Sequence, residues 1–311
     1  MQTLFKTTNA YKILSSREQK HHAYLLVYPD AAGIQSMLKL FSPLFFENEQ
    51  ASRVESGACA DCLYLPEEGK KFTVETAELV SEEAVLRPVE GEKKLFVLSD
   101  VSEATTQAQN KLLKILEEPP EGVYFLLCAT SESTVLPTGL SRVEKLQIPP
   151  FSTAQIAAFL KRNHPETPLL KETAALSGGY PGKAESLLFC GVLSDLTEAA
   201  FSLALAPVHA LPALVKKHGE SGYKKELLSL LRMIFRDALF LKTGEAQSFL
   251  LPSEKARVET LASTRSFACL VYAQEAFSSA EKDLKFNAVF PQTLELTLAG
   301  ILRFNQDTVA P

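Results

Sequence analysis

Four short stretches of this chain carry residue types able to do chemistry. The first, Tyr28-Pro29-Asp30-Ala31-Ala32-Gly33-Ile34-Gln35, follows an apolar run and stands where α/β proteins bind phosphate. A working loop needs glycines for close backbone approach, then Lys and Ser/Thr for phosphate and Mg²⁺. Here only Pro29 and Gly33 suit the task. Ile34 stands where the lysine belongs, Gln35 where the hydroxyl belongs, and Asp30 adds a charge that a triphosphate repels. An ordinary strand–helix connection is the favoured reading of this loop. The second stretch, Ser99-Asp100, ends another apolar run, the place where ATPases put an acidic pair to hold Mg²⁺ and activate water. Asp100 could serve as a lone carboxylate, but a turn or helix-capping aspartate is the plainer reading. The third, Cys59-Ala60-Asp61-Cys62, is half of a tetrahedral zinc site. No second Cys or His pair follows at finger-like spacing, and two ligands alone do not hold structural zinc. The fourth is Ser141-Arg142, just after a short helix. A lone arginine there is a surface salt-bridge residue or an arginine finger for a neighbour's γ-phosphate.

The elements that position these groups are legible from periodicity. Residues 22–29 form a short apolar strand, 36–46 an apolar helix, and 74–86 a helix with the stripe Ala77, Val80, Ala84 and Val85. A strand over 95–98 leads to a helix beginning at Thr105 or Thr106, where Thr106 with Gln109 resembles a capping box. Its stripe is Ala108, Leu112, Ile115 and Leu116, and Pro119-Pro120 stops it. Glu117 and Glu118 close the helix although acidic residues oppose the macrodipole at a C-terminus, so a contact elsewhere is expected to explain them. Strands follow over 123–129 and 144–148. Residues 93–142 thus form a βαβ unit, the core of a parallel sheet. Pro149-Pro150 marks a boundary, and everything beyond is helical in period, with Leu227, Leu231, Ile234, Phe235, Ala238 and Leu241 the clearest stripe. The expected organisation is an α/β domain over 1–149, a small helical domain over 150–192 and an all-α domain over 193–311.

Composition sets the class. The chain has 311 residues, 46% of them apolar and 22% charged, as in globular proteins with real cores. A net charge of −5 gives no global basic signature for nucleic acid. No apolar run approaches a membrane span and the N-terminus lacks a signal-peptide core, so a cytoplasmic location is expected. Five cysteines, an odd number in mostly apolar surroundings, point to reduced structural thiols.

The run 110–120, Asn-Lys-Leu-Leu-Lys-Ile-Leu-Glu-Glu-Pro-Pro, resembles the N-x-L-L-K-x-L-E-E-P-P element of the clamp-loader family of AAA+ proteins. His22-Ala23-Tyr24-Leu25 is similar to that family's opening strand. Leu136-Pro137-Thr138 and Ser141-Arg142 resemble the run into its S-R-C motif, with Val143 in place of the cysteine. Gly179-Tyr180-Pro181-Gly182-Lys183-Ala184 resembles its second-sensor element, with Gly182 where the sensor arginine stands. Asn287-Ala288 with Pro291-Gln292 resembles its closing segment. The resemblance implies an AAA+ α/β domain, a helical lid and a collar that joins the subunits. It also implies four zinc cysteines, of which Cys59 and Cys62 match the middle two, while Gln50 and Leu65 stand at the outer two; zinc is not expected. With Ile34 and Gln35 in the loop, Ser99 for the Mg²⁺-holding aspartate and Gly182 for the sensor arginine, the resemblance implies a subunit that does not bind ATP. Its expected role is a non-ATPase part of the DNA polymerase III clamp loader. The implied partners are the gamma/tau ATPase subunits, the delta subunit, and the sliding clamp and primer–template DNA through the assembled complex. Arg142 is then a trans arginine finger and Ser141 its support. The alternative is a self-sufficient AAA+ ATPase with an atypical loop and Asp100 as its carboxylate.

Overall fold

The apolar runs assemble into one five-stranded sheet, all parallel. The computed structural model describes residues 1–67, 69–165, 169–189, 191–220, 222–244 and 249–309, so Cys190 lies outside the described residues. The strands are β1 (Ala23–Val27), β2 (Cys62–Leu65), β3 (Lys94–Leu98), β4 (Val123–Ala129) and β5 (Glu144–Gln147), in the order β2-β3-β4-β1-β5. In register, Phe96 faces Phe125, Leu25 faces Leu127 and Tyr24 faces Glu144. β2 is the one strand that the periodicity does not announce. It is four residues long, lies at an edge, is half-buried throughout and begins inside the C-x-x-C motif.

The chain divides into two compact units, Met1–Phe159 with Gly179–Lys183, and Leu160–Gly178 with Ala184–Pro311. In the first, the central strands are buried on both faces, which explains their unbroken apolar runs. On one face the helices Val74–Ala84 and Thr106–Glu117 lay Ala77, Val80, Ala108, Leu112 and Leu116 against Leu25, Phe96 and Phe125. The rings of Phe96 and Phe125 stack there with centroids 5.5 Å apart. The alternate residues point the other way, where Phe45 meets Tyr24 and Tyr124 at 5.9 and 5.8 Å. The helix Thr106–Glu117 is capped by Thr105, whose hydroxyl accepts from Ala108 N at 3.3 Å. Gln109 does not complete a capping box. It reaches away to accept from Leu136 N (2.8 Å) and donate to Thr134 O (2.9 Å), pinning the segment that leads to Arg142.

The second unit is helical among its described residues. Leu227, Leu231, Ile234, Phe235 and Ala238 of the helix Lys224–Thr243 are buried with Phe277, Leu294 and Ile301, and Leu241 packs at their margin. Each fully buried Leu, Ile or Phe of this kind stabilises by about 1.5–3 kcal/mol.

Candidate functional site

A parallel sheet sorts the candidate residues onto two opposite rims. The loop 28–35 and Ser99-Asp100 follow the C-terminal ends of β1 and β3. Arg142 precedes β5, and the β1–β5 register sets it level with His22, at the N-terminal ends. Six residues of strand separate Tyr28 from that rim, about 20 Å at 3.3 Å per residue. Arg142 is therefore too far away to act on a nucleotide held by its own chain's loop.

At the first rim, Tyr28 continues the ladder by donating its N–H to Ala129 O (2.9 Å), and the chain then turns through Ala31–Gly33 into the helix Ile34–Phe41. The Asp30 carboxylate points inward and is only 4% exposed. It accepts from Tyr28 OH at 3.0 Å and from Gly182 N at 2.7 Å, with the backbones of Lys183 and Gly33 also donating to it. Burial pushes this carboxyl above its ordinary range, and the donated hydrogen bonds pull it back only partly. Gly182 allows the approach. A Cβ there would stand 2.4 Å from Gly33 N and 2.8 Å from Asp30 Oδ2. A carboxyl group has thus been built into the loop, and it lies against the first turn of the helix Pro181–Phe189, whose backbone N–H groups donate to it. Ile34 is buried, so its side chain belongs to the core, while Gln35 lines an open cavity of about 330 Å³ with Lys70, Ser99 and Asp100. The two lysines of that cavity are engaged by carboxylates, Lys70 with Glu67 (2.6 Å) and Lys71 with Glu103 (2.8 Å). Asp100 adopts φ 42°, ψ 69° and accepts from Ser102 N at 3.2 Å, the local capping role that suits an aspartate in the left-handed region.

Cys59 and Cys62 sit at the start of β2, and burial raises both thiols, Cys62 to about 12. Among the described residues no three His, Cys, Asp or Glu side chains are grouped to hold a metal. Gln50 and Leu65 offer no thiolate or imidazole, so these residues do not fit a four-ligand zinc site. The loop is held instead by Asp61, fully buried, which accepts from Val89 N (2.6 Å) and Glu90 N (2.8 Å). Glu90 in turn accepts from Arg53 (2.9 Å). Asp61→Ala is expected to lower stability by about 1–3 kcal/mol, the cost of stranding buried donors. Urea midpoints check it, and an unchanged midpoint contradicts the role.

At the opposite rim Arg142 follows the short helix Pro137–Leu140. Its Nη1 donates to Thr138 O and to Ser141 Oγ (3.2 Å), Ser141 Oγ donates to Thr138 O (3.0 Å), and its Nη2 pairs with Glu117. The ion pair gives Glu117, at the helix end where the macrodipole disfavours a carboxylate, a cation beside it. His22 lies beneath it, with Nε2 3.1 Å from Leu116 O. Burial and neighbouring His21 hold the His22 ring below the usual imidazole range, against the opposing pull of its hydrogen bonds to the backbones of Leu116 and Arg142. His22, Gln109 and Asp61 are not signalled as site-building residues by type or spacing. Each is bonded to a residue at least 25 positions away.

Residues 6–152 match the family model described as DNA polymerase III, delta subunit. The matched region contains both rims. The chain is also 30% identical over 205 residues to the DNA polymerase III subunit delta' of Pseudomonas aeruginosa, covering 58% of this chain and 59% of that one. Over 151 residues it is 29% identical to the DNA polymerase III subunit tau/gamma of Haemophilus influenzae, covering 45% of this chain and 22% of that one. The alignments thus span less than two thirds of these relatives' lengths. Among solved structures, a DNA polymerase III gamma subunit-related protein of Thermotoga maritima is similar at 20% identity over 98% of both chains. Its TM-score is 0.39. The family match covers the α/β part and stops where the helical remainder begins.

Proposed function

We propose that this chain is a non-ATPase subunit of a DNA polymerase III clamp loader, acting in DNA replication as a delta'-type subunit. It joins gamma/tau-type ATPase subunits and a delta subunit, and meets the sliding clamp and primer–template DNA through the assembled complex. Arg142 is its trans arginine finger, set against the γ-phosphate of a neighbouring subunit's ATP, and Ser141 steadies it. The observation that carries this reading is the division of the sheet into two rims. At the C-terminal rim the loop 28–35 is closed by the contact of Asp30 with Gly182, while the part-exposed guanidinium stands at the other rim. An arginine so placed can complete only a site on another chain. The three-part division at 149/150 and 192/193 and a cytoplasmic location belong to the same proposal. No single helix among the described residues is long and apolar enough to cross a membrane.

The test is nucleotide binding by the isolated chain, followed by reconstitution. Expected are no Mg²⁺-dependent ATP binding at concentrations that saturate the ATPase subunits, stable copurification with those subunits, and clamp loading that depends on this chain. Micromolar Mg²⁺-dependent binding would instead point to a self-sufficient ATPase. Failure to enter the complex would overturn the subunit assignment.

A further inference from the structure

The Arg142 guanidinium is not free in this chain; it is paired with Glu117 at the end of the helix Thr106–Glu117. Three facts make this pair more than a chance surface contact. First, a carboxylate at a helix C-terminus is disfavoured by the macrodipole, so Glu117 needs a cation beside it. Second, the backbones on either side are fixed. His22 bonds to Leu116, the residue before Glu117, and to the backbone of Arg142. One ring therefore lies against both backbone segments that carry the carboxylate and the guanidinium. Third, the other guanidinium hydrogen bonds go to Thr138 O and Ser141 Oγ, which leave Nη2 facing Glu117 alone among the described residues. The Glu117 and Arg142 side chains are 46% and 29% exposed, so the pair opens onto solvent at the rim. A carboxylate and a phosphate compete for the same planar donor fork.

We propose that Glu117 is the positioning residue of Arg142. It holds the guanidinium extended at the rim, and a phosphate oxygen of the neighbouring subunit's nucleotide displaces it. This rests on the trans-finger reading of Arg142. Glu117 touches no nucleotide in this scheme and acts only through the arginine. Its carboxylate sets how much of the arginine's interaction remains available to the phosphate.

The test uses the reconstituted complex with four forms of this chain: wild type, Glu117→Gln, Arg142→Ala and the double variant. Half-saturating ATP concentration and turnover number are read separately. Glu117→Gln is expected to lower the half-saturating ATP concentration by roughly two- to fivefold, the strength of a part-exposed ion pair. In the Arg142→Ala background the same change is expected to do nothing. Glu118→Gln removes the same charge from the same helix end and is expected to leave the ATP dependence unchanged. If Glu117→Gln is silent while Arg142→Ala lowers turnover, this proposal falls and the finger reading stands. If Arg142→Ala is itself silent, the finger reading falls. Equal effects of Glu117→Gln in both backgrounds, or an equal effect of Glu118→Gln, would mark a general charge or folding role and overturn the proposal. Thermal midpoints of each variant, expected within a few degrees of wild type, keep misfolding apart from these outcomes.

Discussion

Replacing Arg142 by Ala is expected to cut ATP turnover in the reconstituted complex by about 10³-fold at the site it serves, while assembly survives. The size follows from the chemistry. Charge develops on the equatorial oxygens of the transferred phosphoryl group, and a guanidinium held beside them acts in a site from which water is excluded. The survival of assembly follows from the local structure. The Arg142 side chain is part-exposed and bonded to a carbonyl, a hydroxyl and one carboxylate, and no core cluster includes it. Its loss should cost the fold about 0–1 kcal/mol, the usual worth of an exposed pair. Arg142→Lys keeps the charge but loses the fork, so its turnover is expected to fall between the other two. Steady-state ATPase assays with clamp and primed DNA, beside native-gel assembly, give the answer. Wild-type turnover in an assembled Arg142→Ala complex would falsify the finger role.

The second large effect is expected at Asp30. Asp30→Ala should destabilise the first unit by about 2–4 kcal/mol, because Gly182 N, Lys183 N and the buried Tyr28 hydroxyl all lose this acceptor. The pH dependence has a definite sign. Burial raises the Asp30 carboxyl in the folded chain above its unfolded value. The folded state then holds the proton more tightly than the unfolded state. The stability this group contributes is full below the ordinary carboxylate range and declines as pH rises from about 4 through the raised value. The stability gap between wild type and Asp30→Asn is therefore expected to narrow as pH rises. Urea midpoints between pH 4 and 7 measure it. A gap that widens with pH would mean that the donated hydrogen bonds outweigh burial and that the anion is the favoured form. Neither substitution restores Lys at position 34 or a hydroxyl at 35, so ATP binding is not expected to appear in either.

Much of this protein is decided locally and is readable without coordinates. The apolar runs at 22–29, 95–98 and 123–129 specify strands because central parallel strands are buried on both faces, and Pro119-Pro120 ends the intervening helix because proline cannot continue it. The misfit of Ile34 and Gln35 to phosphate chemistry is likewise a matter of residue type. So is the incompleteness of the Cys59-x-x-Cys62 motif. The tertiary structure decided what lies next to what. Asp30 meets Gly182 across 152 positions, and Asp61 meets Val89 across 28. Gln109 looks like a capping residue in sequence and serves instead as a tether for 134–136, a choice open only once that segment is folded beside it. The edge strand β2 is too short and too evenly half-buried to show a period, and its pairing with β3 creates it. Above all, pairing β1 parallel to β5 sets the loop 28–35 and Arg142 on opposite rims. Periodicity fixes which residues face a core, but strand order is set by packing between distant segments. The parallel direction of the paired strands then sets the arginine at the end away from its own chain's loop.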